Sequence, residues 1–524
     1  MSDITANAGT APRASSEGRR MFAFLCMVFG MFMAILDIQI VSASLAEIQA
    51  GLAASADEIS WVQTSYLIAE VVMIPLSGFL SRALSTRWLF VASAAGFTLM
   101  SFMCATATSI EQMIVYRALQ GFLGGGMIPT VFAAAYSVFP REKQPVITPL
   151  IGLVATLAPT IGPTIGGYLT DLFSWHWLFL VNIVPGIFVI IATATLVDFD
   201  EPDLKLLDRF DWWGLLFMAG FLGSLEFVLE EGPTNDWFED EAIFVFAIVG
   251  AVSSVAFFAR VLMAKEPVVD LKAFLNRNFS VGSAFSFVLG IGLYGLTYLY
   301  PLYLARVRGY SALMIGETMF VSGLAMFLTA PLAGRLVAKV DPRMMIAFGF
   351  GAFAVGTWQM TGMTQDWDFW ELLVPQILRG VGLMMAMIPI NNISLGTLPP
   401  AQLKNASGLF NLMRNLGGAV GLALINTVLN DRWDLHLARL HENVQWASSV
   451  AVERLDAMTR SLSMLGSDAE AAALKRMAGQ VRIQAEVMAF SDVFLALTAL
   501  FVLLLFASPL MSRPKNAGGG GGGH

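Results

Sequence analysis

Seven ionisable side chains lie inside long apolar stretches of this 524-residue chain: Asp37, Glu70, Arg117, Glu226, Glu317, Arg379 and Arg414. A charge at membrane depth costs at least a few kcal/mol, so such a group faces a partner or a water-filled cavity. Burial favours the neutral form of a carboxyl and a neighbouring arginine favours the charged form, so its proton occupancy depends on which side of the membrane reaches it. Depth counting at ~1.5 Å per residue sets Asp37 and Arg117 both about 10 Å inside the outer face, within reach of one shared site. Two readings of that pair stay open: a proton-exchange device, or a static ion pair that fixes helix packing. Glu70, one turn beyond Tyr66, comes out near the midplane with Arg414 and is a cavity-facing candidate. Glu226, Glu317 and Arg379 come out nearer the outside, where the plain alternative for the two glutamates is snorkelling to water.

Other residue types add to this. The run GLVATLAPTIGPTIGG places Gly152, Pro159, Gly162, Pro163, Gly166 and Gly167 in one apolar span. Glycine permits close helix contact there and proline loosens local backbone bonding. NLGGAVG at 415–421 is a weaker counterpart. Tyr66, Gln120, Tyr294, Tyr298, Arg379, Met384, Asn411 and Arg414 are candidates for lining a substrate cavity, the soft and aromatic ones suiting varied apolar ligands, with lipid contact or packing as the alternative. No metal-ligand spacing occurs among the four histidines and two cysteines, and no GxxxxGK[ST] phosphate loop is present. GIGLYG at 290–295 matches a dinucleotide fingerprint but has no preceding strand. No nucleophile stands with a base, so enzyme chemistry is not expected, and transport would draw on a gradient with no cofactor.

The elements that must hold these residues are membrane helices. Apolar residues make up 56% of the chain and charged ones 13%, about half the usual share, which excludes a water-soluble globule. Fourteen apolar segments of about 20 residues each are expected, beginning at Met21 and ending near residue 511. Nineteen of the 31 Lys and Arg fall in tails and loops on the side of the N-terminus, against Arg306 and Arg308 in short loops opposite, so both termini are expected to be cytoplasmic. No basic stripe points to nucleic acid. The expected organisation is a cytoplasmic tail (1–20), an N-terminal six-helix bundle (21–198), a linker and two inserted helices (199–265), five helices of a C-terminal bundle (266–429), a long periplasmic segment (430–488), a last helix (489–511) and a Gly-rich cytoplasmic tail (512–524). The segment 430–488 mixes seven basic and eight acidic residues with apolar ones at helical spacing, and reads equally as a solvated connection or a docking element.

An internal repeat supports two bundles. PLSGFLSRALSTRWLF at 75–90 aligns without gaps on PLAGRLVAKVDPRMMI at 331–346, and RALQG at 117–121 falls opposite QILRG at 376–380 with the Arg and Gln exchanged. Two duplicated halves are what a transporter needs to rock about a central site.

These residues resemble the fourteen-helix drug:proton antiporters of the major facilitator superfamily, of the EmrB and QacA type, over about residues 21–511. LDIQIV at 36–41 resembles the acidic motif of the first helix, RALQG the fourth-helix motif in which Arg117 assists proton transfer, and the Gly/Pro run the antiporter motif of the fifth. WHWLFLVNIVPG at 175–186 also fits. In the loop motif after the second helix Gly78, Leu80 and Arg87 match, while Arg82 and Ser85 stand where an acidic residue and a glycine are common; Asp341 keeps an acidic position in the second copy. The resemblance implies an all-α major facilitator fold, export of hydrophobic drug-like molecules against inward proton flow across the bacterial inner membrane, and work with a periplasmic adaptor (EmrA-like) and an outer-membrane channel (TolC-like). A symporter for an organic solute and a non-transporting membrane receptor or scaffold are the alternatives.

Overall fold

No water satisfies backbone N–H and C=O groups inside a bilayer, so a chain this apolar must close its hydrogen bonds within helices. The computed structural model describes residues 17–264, 266–445 and 448–512, and among them there is no strand. The expected tails 1–20 and 512–524 lie almost wholly outside the described residues. Fourteen long helices follow one another: α1 (Glu17–Ala43), α2 (Trp61–Ala83), α3 (Ser85–Ala105), α4 (Ile110–Val138), α5 (Gln144–Leu172), α6 (Trp177–Leu196), α7 (Trp212–Glu231), α8 (Glu241–Met263), α9 (Arg277–Arg306), α10 (Ala312–Val337), α11 (Pro342–Met360), α12 (Phe369–Gly396), α13 (Pro400–Asn443) and α14 (Ala469–Ala507). The α4 helix is interrupted at Gly125 and Gly126.

Among the described residues thirteen helices are long and apolar enough to cross a membrane. The remaining one is α11, whose 19 residues include Gly, Thr and Gln. Short connections join it to α10 and α12, which pack against each other, so it must run back across between them. Polar side chains cap the starts: Ser109 accepts from Gln112 N–H on α4, Asp341 from Arg343 N–H on α11, and Asp368 with Glu371 makes a reciprocal box on α12. Each satisfies N–H groups that have no partner inside the helix.

We call the side where α1 begins the near face and the opposite side the far face. The sequence repeat reappears as contacts. A Cβ on Gly121 would lie 2.3 Å from the Tyr66 carbonyl oxygen, and one on Gly380 would lie 2.7 Å from that of Ser322. Gly78 abuts the start of α13 at Asn405 (2.8 Å), and Gly334, its equivalent, abuts the start of α5 at Pro145 (2.2 Å). Helices α2 with α13 and α5 with α10 are thus the seams between the halves.

Between the halves, α7 packs on both α2 and α13, while α8 packs chiefly on α7 and leaves most of its surface outward. Thr64 donates to Glu231 (2.8 Å) and Trp237 to Thr427 (3.1 Å), so the end of α7 and the turn after it are bonded to both halves at the far face. The stretch 430–488 is largely helical: α13 runs 44 residues, α14 begins well before its apolar part, and a helix Ser449–Ser461 rests on α14 through Leu455, Met458 and Ala473. Asp492 of α14 pairs with His436 (2.8 Å) and Arg432 (3.6 Å) of α13.

Candidate functional site

Asp37, near the far end of α1, and Arg117 of α4 meet in a fully buried ion pair, Nη1 to Oδ2 at 2.6 Å. Arg117 Nη1 also donates to Gln120 (2.8 Å) and its Nε to the Val62 carbonyl (3.2 Å), while its guanidinium lies 4.2 Å from the Tyr66 ring centre. The other Asp37 oxygen accepts from Asn182 (2.7 Å) and Gln120 (3.3 Å), and Asn182 donates onward to Ser101 (3.1 Å). Desolvating two charges is offset only when the remaining bonding positions are filled; here both carboxylate oxygens are bonded, while Arg117 Nη2 has no hydrogen-bond partner. Gln120 and Tyr66, expected along the substrate cavity, belong instead to this centre: Gln120 bonds both charges and Tyr66 packs against the arginine. Asn182 carries no charge, and its one mark in the sequence is its place as a lone amide in the apolar run of WHWLFLVNIVPG.

Beside this centre a cavity of ≈ 510 Å³ opens between the halves. Gln39, Gln63, Glu70 and Pro163 line it from the first half, Tyr294, Tyr298, Asn415 and Asn426 from the second, and Glu226 and Glu230 from α7. All of the lining belongs to the far parts of its helices, from Glu70 and Asn415 at mid-depth outward. The tyrosine hydroxyls are engaged, Tyr294 donating to Asn415 (3.3 Å) and Tyr298 to Asn426 (2.7 Å). Glu226 is buried in the cavity wall and does not snorkel, whereas Glu317 is exposed on α10 away from it.

Four further candidates lie elsewhere than expected. Arg379 is buried behind the wall, donating to Thr297 (2.5 Å) and lying 5.6 Å from the Tyr300 ring centre. Arg414 bonds Asn411 and lies 5.0 Å from the Phe132 ring centre; neither lines the cavity. Met384 is core. Each is turned to another face of its helix, and ~100° of rotation per residue makes that face invisible to composition.

The near side is closed. Thr148 of α5 donates to Asn392 of α12 (2.9 Å), and Lys404 at the start of α13 donates to the Ser81 carbonyl (2.9 Å) and to Asp200. Asp200 also accepts the Thr86 N–H at 3.1 Å through both oxygens. The acid missing at Arg82 is thereby supplied from the segment after α6. Arg82 lies 5.8 Å from the Phe79 ring centre and Arg87 sits 4.0 Å from Asp198. Ser85 has φ +75°, a conformation that suits the glycine it replaces.

The Gly/Pro run of α5 makes close packing. A Cβ on Gly162 would lie 2.4 Å from Gln39 Cβ, and one on Gly166 2.8 Å from the Ile40 carbonyl oxygen, so α5 is pressed on α1 beside Asp37. Gly152 faces Ile388 of α12 at 3.6 Å, and Pro159 and Gly167 continue the same helix. On α13, Gly417 and Gly421 approach Phe287 and Ile291 of α9 in the same way.

The family model described as Major Facilitator Superfamily matches residues 27–422. The "Colistin resistance protein EmrB" of Acinetobacter baumannii is 40% identical over 94% of this chain and 96% of its own length. The "Multidrug export protein EmrB" of Escherichia coli K12 is 30% identical over 95% and 96%. Among solved structures, the proton:xylose symporter XylE superposes with a TM-score of 0.59 at 11% identity, covering 96% of this chain and 98% of that one, a likeness of fold alone.

Proposed function

This chain belongs to the major facilitator superfamily and is a multi-pass transporter of the bacterial inner membrane, not an enzyme, and on that premise we propose that it exports hydrophobic toxic compounds in exchange for protons by alternating access. The relatives named for multidrug export and colistin resistance support the substrate class. The observation that carries the coupling is the buried Asp37–Arg117 pair set beside a cavity open on one face only.

The basic residues of the near-side loops orient that face toward the cytoplasm, so the open face is periplasmic. Glu70 takes a proton from the cavity and exchanges it with Asp37. Neutralising Asp37 leaves the Arg117 charge buried without its partner, a change of several kcal/mol, enough to tip two arrangements separated by a few. Substrate in the cavity favours the deprotonated arrangement. The Gly/Pro run of α5, pressed on α1 beside Asp37 and on α10 across the seam, transmits the change between halves. The helical stretch 430–488 beyond the far face is where a periplasmic adaptor, itself joined to an outer-membrane channel, would dock.

In everted vesicles with an imposed pH gradient, Asp37→Asn is expected to abolish substrate-dependent proton release while purified protein keeps a wild-type elution profile. Asp37→Glu, which keeps the charge, restores part of it. Unchanged coupling in Asp37→Asn returns the pair to a purely structural role.

A further inference from the structure

The inserted helix α7 reaches the central cavity. Glu226 and Glu230, one turn apart on it, line the same wall as Glu70 of α2. Glu70 is 3% and Glu226 5% exposed, and among the described residues none of the three carboxylates has a hydrogen bond or ion pair. Beside them Gln63, 8% exposed, has an amide oxygen buried with no hydrogen-bond partner. Among the described residues no Lys, Arg or His lines the cavity; Arg379 stops one layer behind, at Thr297. A buried carboxylate without a partner is costly, so a wall holding two of them, Glu70 and Glu226, with the half-buried Glu230 and a free amide oxygen beside them, calls for a positive occupant.

The rest of the lining says what kind. It is mostly apolar, with two tyrosine rings across from the acids, and rings of this type attract organic cations through their faces. Among the described residues no group of three or more His, Cys, Asp or Glu has the arrangement to hold a metal ion. A volume of ≈ 510 Å³ is that of a pocket for a drug-sized molecule. We infer that Glu70, Glu226 and Glu230 form an anionic wall that selects lipophilic organic cations, which makes α7 part of the substrate site and not a spacer between bundles. The inference rests on the export reading above and sharpens its substrate class.

Tetraphenylphosphonium and tetraphenylborate have the same shape and opposite charge, so their binding to purified full-length protein isolates charge selection. The cation is expected to bind at least about tenfold tighter than the anion to the wild type. Glu226→Gln with Glu230→Gln lowers cation affinity by about tenfold or more and narrows the preference, while Glu317→Gln leaves both unchanged. Equal binding of the two ions by the wild type overturns the inference whatever the variants do. So does a folded double glutamine variant with wild-type cation affinity, including one whose proton coupling alone is altered. If the double variant does not fold, the two Glu→Asp variants, which keep the charges, must retain the preference. Proton-driven export of an uncharged dye without cation binding rejects the wall and leaves the export reading standing; selective cation binding without proton-driven export does the reverse.

Discussion

Two arginines, three positions apart in the register of the repeat, sit on equivalent helices of the two halves, and they keep different company. Arg117 of α4 is paired with the carboxylate of Asp37 and held by Gln120 and Val62. Arg379 of α12 reaches across to α9, as Arg117 reaches to α1, but finds the hydroxyl of Thr297, and its Nε and Nη1 have no hydrogen-bond partner. The shared glycine contacts, Gly121 on Tyr66 and Gly380 on Ser322, show that the backbone frame is the same in both. What differs is the order of the Arg and Gln on the helix and the acidic side chain that only Arg117 meets. A duplicated frame can therefore keep its packing symmetric while confining a buried ion pair to one copy, because an extra buried carboxylate would have to be neutralised in every conformation the frame adopts.

The largest expected effect breaks this comparison directly. Arg117→Met leaves Asp37 charged and buried, and should abolish coupling and destabilise the protein by about 3–5 kcal/mol. Arg379→Met removes a charge that has no counter-charge, and should leave coupling intact with stability within about 1 kcal/mol of wild type or above it. Melting temperature and vesicle proton release measure both; equal damage from the two would end the claim that coupling is one-sided. Next come the seams. Gly78→Leu and Gly334→Leu each drive a side chain into backbone at the near face, and both should raise the labelling of cysteines placed there from that side, by similar factors. A response from only one would show that the seams do not open together. The smallest effect concerns the loop motif. Ser85→Gly relieves a left-handed residue and should raise stability by about 1 kcal/mol. Asp341→Ala, at the equivalent place in the second half, removes the cap on α11 and should lower it by a similar amount, seen as melting shifts of opposite sign.

Much of the frame was legible in the sequence, since the apolar length of a crossing is set by the bilayer itself. The pairing of Asp37 with Arg117 was legible for a related reason: a charge at depth needs a partner, and the two had matching depths. The cavity wall was less so. A membrane helix is apolar toward lipid and apolar toward protein, so periodicity does not tell which face turns inward, and Arg379, Asn411, Arg414 and Met384 were assigned to the cavity by type alone. Neutral amides such as Gln39, Gln63, Asn182, Asn415 and Asn426 raised no signal because an uncharged polar side chain in a membrane helix needs no counter-charge. Glu230 was hidden in EEGPTND, which reads as an outer loop until α7 is seen to extend through it.

One consequence follows from the length of α13. Its 44 residues span about 66 Å, twice the hydrocarbon thickness and more, and its outer part is lashed to α14 through Asp492. Such a mast turns with the half that carries it. Rotating it by ten degrees about a mid-bilayer pivot sweeps its tip through roughly 8 Å, so whatever grips the tip senses, from outside the membrane, which way the pump is pointing.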